Sequence, residues 1–130
     1  MTQRFELGWY NGWSPEERLA TIPIQREAIR SGALERPTCC SICGFSKQDE
    51  DKVDNRVWLH DEDYSDPLRA YAVCRSCHRT LHARFDMPDP WAALVARHGS
   101  GDRWFERLTM DPQSQKRPFA QTYPEGLPAM

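Results

Sequence analysis

Two stretches, Cys40-Ser41-Ile42-Cys43 and Val73-Cys74-Arg75-Ser76-Cys77-His78-Arg79-Thr80-Leu81-His82, decide how this chain folds. Each carries a Cys-x-x-Cys pair, and about thirty residues separate the pairs. A Cys-x-x-Cys turn lets two thiolates reach one ion while the amides between them point at the sulfurs. A second pair at this distance completes the tetrahedral sphere of a structural zinc. Cys40, Cys43, Cys74 and Cys77 are therefore the predicted zinc ligands. Cys39 also precedes Cys43, in a Cys-x-x-x-Cys spacing. Cys40 gives the tighter turn, which leaves Cys39 as a free thiol or one lying beside the site. An odd count of five cysteines suits disulfides poorly, and paired cysteines in a reducing compartment read as metal ligands.

Working outward, residues 56–60 read as a strand, with Val57 and Leu59 on one face and Trp58 on the other. Residues 61–67 are a polar loop. Residues 70–73 are the returning strand, which runs into Cys74, and 75–85 a helix. Upstream, Ser14-Pro15-Glu16-Glu17 reads as a helix start, with Ser14 as cap and Glu17 three residues on. A short helix to about residue 20 is expected, then a second from Pro23. Ile24, Ala28 and Ile29 would share a face of the second helix, and Gly32 would stop it. Downstream, Asp89-Pro90 begins a helix over 91–98 that stops at Gly99. Trp104, Phe105 and Leu108 suggest a last helical turn. From residue 110 the chain is rich in Pro and Gln without periodicity, so a tail is expected there.

Ten prolines, five tryptophans and 39% apolar content describe a small, irregular core of the kind a metal ion staples. The length of 130 residues suits one domain. No apolar run approaches a membrane span and the start has no signal-peptide pattern, so a soluble, cytoplasmic protein without a membrane partner is expected. A net charge of −2 excludes a uniformly basic nucleic-acid binder. The distribution is less even: residues 49–66 hold eight acids against Lys52 and Arg56, whereas 67–85 hold Arg69, Arg75, Arg79 and Arg84 and no acid. A basic segment beside an acidic one suits a cation together with a phosphate ligand. Taken alone, it reads first as two ordinary solvated segments.

Three of the four histidines fall in this middle region. His78 and His82 are four apart on the predicted helix and share a face, bordered by Arg75 and Arg79. Cys77, Leu81 and Phe85 form a separate row toward the zinc and the core. A His-x-x-x-His pair on a helix can hold one ion, although an isolated pair reads first as two surface histidines. His60 adds a third, at the end of the predicted strand and just before Asp61-Glu62-Asp63. The hairpin must bring that strand back to the helix, so the three histidines are expected to converge. Imidazole can take a proton from water near pH 7. A divalent ion at His78 and His82 could polarise a phosphodiester, with Arg69, Arg75 and Arg79 on the nucleic-acid backbone.

The sequence Trp58-Leu59-His60-Asp61 followed by the Cys-x-x-Cys-His-x-x-x-His run resembles the HNH endonucleases, the ββα-metal or His-Me finger superfamily, in their four-cysteine zinc form. The resemblance covers residues 39 to 85. It implies a treble-clef ββα-metal core and metal-dependent cleavage of phosphodiester bonds in DNA. By position, His60 matches the general base, and His78 and His82 match the helical ligands of a catalytic divalent ion, magnesium, manganese or another. Many members carry a further metal ligand where this chain has Leu59, and Asp61 or Asp63 could substitute from the other side of His60. No Asn lies between His60 and Cys74 at the place of the motif's central Asn, which falls near Arg69. The alternative is a catalytically degenerate module of the same fold that binds nucleic acid or a protein partner. The expected fold is α+β over a single domain 1–130: a helical arm 1–38, the zinc-bound core 39–86, helices over 87–109 and an extended tail 110–130. The tail and the tryptophans leave a homodimer open.

Overall fold

The computed structural model describes residues 8–46 and 56–130. The first half of the acidic run, at 49–55, lies outside the described residues. The fold is small and α+β, with one two-stranded antiparallel sheet and four α-helices among the described residues. No helix among them is long and apolar enough to cross a membrane.

Helix α1 runs over Pro15–Ser31. Its start follows from the sequence: the Ser14 hydroxyl accepts from the Glu17 amide at 3.2 Å, and the Glu17 carboxylate accepts from the Ser14 amide at 2.9 Å. Gly32, at φ 87°, ends it in the left-handed conformation. The expected break at Pro23 does not occur, and one helix replaces two. Pro23 has no N–H for the Leu19 carbonyl, but Leu19, Ile22 and Ile24 are all exposed, so water can satisfy that oxygen. The expected apolar face is corrected as well. The buried row is Arg18, Thr21, Gln25 and Ala28, mostly polar, because it faces a polar loop rather than an apolar core.

Strands β1 (Val57–His60) and β2 (Tyr71–Cys74) pair in the register Val57↔Cys74, Trp58↔Val73, Leu59↔Ala72 and His60↔Tyr71. Alternation puts Trp58 and His60 on one face, with Val57 and Leu59 on the other. β2 runs without a break into helix α2 (Arg75–Ala83), with Cys74 as its N-cap residue. Helix α3 (Pro88–His98) packs on α2 and buries Trp91. A 3-10 turn at Trp104–Arg107 places Trp104 flat against Tyr71, ring centroids 3.8 Å apart and 7° from parallel. One apolar cluster joins Tyr10, Ile42, Val73, Leu81, Trp91, Trp104 and Phe105.

The tail is not an open extended segment. It forms a 3-10 turn at Pro112–Gln115 and a short helix α4 (Phe119–Thr122), and it buries Ser114, Tyr123 and Leu127. Tyr71 donates its hydroxyl to the Pro128 carbonyl at 2.6 Å, and the Arg69 guanidinium donates to the Leu127 carbonyl at 2.8 Å. The tail's partner within the chain is thus its own core.

Candidate metal centres

The turn holding Cys40 and Cys43 is shaped by its own backbone. The Cys40 amide donates to the Phe45 carbonyl at 2.8 Å, the Gly44 amide donates to the Cys40 carbonyl at 3.0 Å, and the Ile42 amide points at the Cys40 sulfur at 3.4 Å. Ser41 fastens this turn to β2, since its amide and hydroxyl both donate to the Ala72 carbonyl, at 2.7 and 2.6 Å. The sulfurs of Cys40, Cys43, Cys74 and Cys77 lie within 4.8 Å of one another. Cys43 and Cys74 are 3.8 Å apart. Four sulfurs about 2.3 Å from a central zinc would sit about 3.8 Å from each other, so the donor set fits a tetrahedral ion. Cys39 is exposed and outside this group, its sulfur facing the Gly44 carbonyl at 3.5 Å. The thiols also perturb one another. Cys77 is pushed far up, first by giving its hydrogen to Cys40 and then by burial, while Cys40 accepts that hydrogen and is held down to about 4. Burial raises Cys74 to about 11. A cation among the four sulfurs would hold them all as thiolates.

A second cluster adjoins the first. His60, at the end of β1, meets His78 and His82 from α2, with ring centroids 5.1 and 5.0 Å away. One nitrogen from each ring lies within 4.8 Å of the others. The Nε2 atoms of His78 and His82 are 3.0 Å apart, near the roughly 3.3 Å edge of a tetrahedral site with arms of about 2.0 Å. Burial lowers His78 to about 3 and His82 well below the ordinary value, with the nearby His60 adding to both. Both are therefore held neutral, the form that binds metal. The expected convergence of the three histidines is what the hairpin register and the α2 spacing produce.

Behind His60 lies a buried polar network that the sequence did not disclose. His60 Nε2 is 2.5 Å from Glu62 Oε2, and both side chains are 1% exposed. Tyr10 donates its hydroxyl to the same oxygen. Asn11 donates to Glu62 Oε1 at 2.8 Å and to the Glu62 carbonyl at 3.0 Å, and Arg84 donates to the Tyr10 hydroxyl at 3.1 Å. Burial pushes the Glu62 carboxyl up, but the hydrogen bond and charge of His60, the charge of Arg84 and the Tyr10 hydroxyl together hold it below its usual range. A carboxylate at Glu62 can only accept, so Nε2 is the ring nitrogen that carries a proton toward it, and Nδ1 is the nitrogen left for another partner. The strand ends at His60 and the chain bends at Glu62, so neither strand alternation nor composition marked this carboxylate.

The remaining expected site residues divide. His60, His78, His82, Arg75 and Arg79 line one cleft of about 770 Å³, together with Trp9, Tyr10, Ile22, Trp58 and Leu59. Asp61 also lines it but stands outside the histidine group. Its carboxylate accepts from Gln25 Nε2 at 2.7 Å, and burial raises it to about 6. Arg69 does not line the cleft and is engaged by the tail. Arg18, buried in the wall, donates to the Gly8 carbonyl at 2.7 Å and to the Tyr64 hydroxyl at 3.1 Å. Four cysteines are thus placed to hold a metal ion, a geometry consistent with zinc, beside three histidines able to hold another. No protein-family model, curated protein or solved structure matches this chain.

Proposed function

We propose that the protein is a metal-dependent endonuclease of the HNH, ββα-metal type, which cleaves phosphodiester bonds in DNA. One observation carries this reading: a strand-end His60 converges with His78 and His82 of the following helix, directly beside the four-cysteine site. In this reading Cys40, Cys43, Cys74 and Cys77 hold a structural zinc in a treble-clef core. His78 and His82 would hold a divalent ion, which would supply Lewis-acid charge to the phosphodiester and to its leaving oxygen. His78 and His82 hold that ion as neutral imidazoles. His60 takes the water's proton on Nδ1, while Glu62 fixes the ring and stabilises the imidazolium that forms. Arg75 and Arg79 bind the flanking phosphates.

A second reading, a module of the same fold that binds nucleic acid or a protein without catalysis, draws on two facts. Leu59 occupies a position where a further ligand would stand, and His60 is only 2% exposed. Incubation of the protein with supercoiled plasmid and with circular single-stranded DNA, each with and without Mg²⁺ or Mn²⁺, separates the two. Nicking that needs the ion and is lost in His60→Ala supports the endonuclease. No nicking of either DNA, or equal nicking by the variant, refutes it and leaves the binding module.

A further inference from the structure

The cleft over the histidines is lined by two unlike sets of side chains. One set is cationic and metal-binding: His78 and His82 of α2 with Arg75 and the exposed Arg79. The other is apolar and aromatic: Trp58 of β1, Ile22 of α1 and Trp9. Trp58 is 42% exposed, although strand alternation directs it to the same side as His60. Its ring lies 6.1 Å from the His78 ring, so one aromatic face stands immediately beside the metal-binding histidines. Trp9, 41% exposed, has the Lys116 ammonium 5.8 Å from its ring centroid. A volume of about 770 Å³ falls within the roughly 300–1,000 Å³ of small-ligand pockets.

An apolar, aromatic set beside a cationic, metal-binding set matches the chemistry of one nucleotide, base at the first and phosphate at the second. A duplex keeps its base faces covered by stacking, so only an unpaired or displaced base can lie on a tryptophan. Resting on the endonuclease reading, we infer that the cleft takes an unstacked nucleotide of single-stranded DNA. Its base lies against Trp58 and its phosphate lies at Arg79 and the histidines. Trp58 is then a substrate-binding residue, and single-stranded or frayed DNA is the preferred substrate class over continuous duplex.

The test is fluorescence anisotropy with the full chain. The probes are a labelled single-stranded DNA 12-mer, its duplex, and the same strand carrying abasic sites, without added Mg²⁺ or Mn²⁺. The inference expects the single strand to bind more tightly than the duplex, and the abasic strand more weakly than the intact one. Trp58→Ala should weaken single-strand binding about tenfold, with Trp58→Phe recovering most of it and circular dichroism unchanged. Equal binding of strand and duplex, equal binding of the abasic strand, or an unaffected Trp58→Ala variant would overturn it. Because nicking is scored separately, a protein that binds single strands but never cleaves fails the endonuclease reading alone. One that cleaves duplex with Trp58 dispensable fails this inference alone.

Discussion

Replacing Glu62 with Gln keeps its size but removes the buried charge that faces His60 Nε2 and the Tyr10 hydroxyl. Breaking such a pair leaves its partners unmatched, so Glu62→Gln should lose about 2–4 kcal/mol in urea denaturation. The sign with pH follows from the lowered Glu62 pKa: its contribution is present above the ordinary carboxyl value of 4.5 and is lost as pH falls through the lower folded value. The deficit of the variant should therefore shrink in acid. Asp61 behaves oppositely. Its folded pKa, raised from 3.8 to about 6, means stability is complete below 3.8 and is lost as pH rises through about 6. Asp61→Asn, with its amide oxygen still able to accept from Gln25, should raise the melting temperature at pH 7 and leave it unchanged near pH 3. Thermal denaturation at the two pH values checks both signs. Neither residue was legible as buried, because Asp61-Glu62-Asp63 has the composition of a solvated loop and its partners come from elements far away in sequence. His78 and His82 were legible because their spacing is local, and His60 because the hairpin returns its strand to the same helix.

Among the elements, the hairpin and α2 could be read because alternation and the Cys-x-x-Cys spacing are signals within a few residues. Helix α1 was misread at Pro23, since a proline tolerated on a solvated face looks the same in sequence as one that ends a helix. Its buried face was hidden too, because Arg18, Thr21 and Gln25 carry no apolar periodicity. The turn before α1 gives a sharp prediction. Asn11 and Gly12 both have positive φ, at 53° and 85°, and the Gly12 amide donates to the Gln115 carbonyl at 2.9 Å. A Cβ on Gly12 would lie 2.4 Å from the Arg117 carbonyl oxygen and 2.7 Å from the Pro118 Cα, both backbone atoms that cannot swing aside. Gly12→Ala should cost about 2–4 kcal/mol in chemical denaturation. It should also loosen the tail, read as faster proteolysis after residue 110. Loss of neither would mean that arm and tail do not meet as described.

At the scale of the molecule, the cysteine site joins parts that are separate in sequence: the turn at Cys40, the end of β2 and the start of α2. That junction sets His60 on β1 against His78 and His82 on α2. Cys74→Ser should therefore lose the bound metal and the cooperative unfolding transition together, as metal analysis and calorimetry would show. A variant that unfolds cooperatively without metal would refute the clamp. The proposed endonuclease needs a second ion at the histidines, and equilibrium dialysis against Mn²⁺ followed by metal analysis measures it. The wild type should hold two ions per chain, and His78→Ala/His82→Ala should hold one while keeping its fold by circular dichroism. One ion in both proteins would contradict the account.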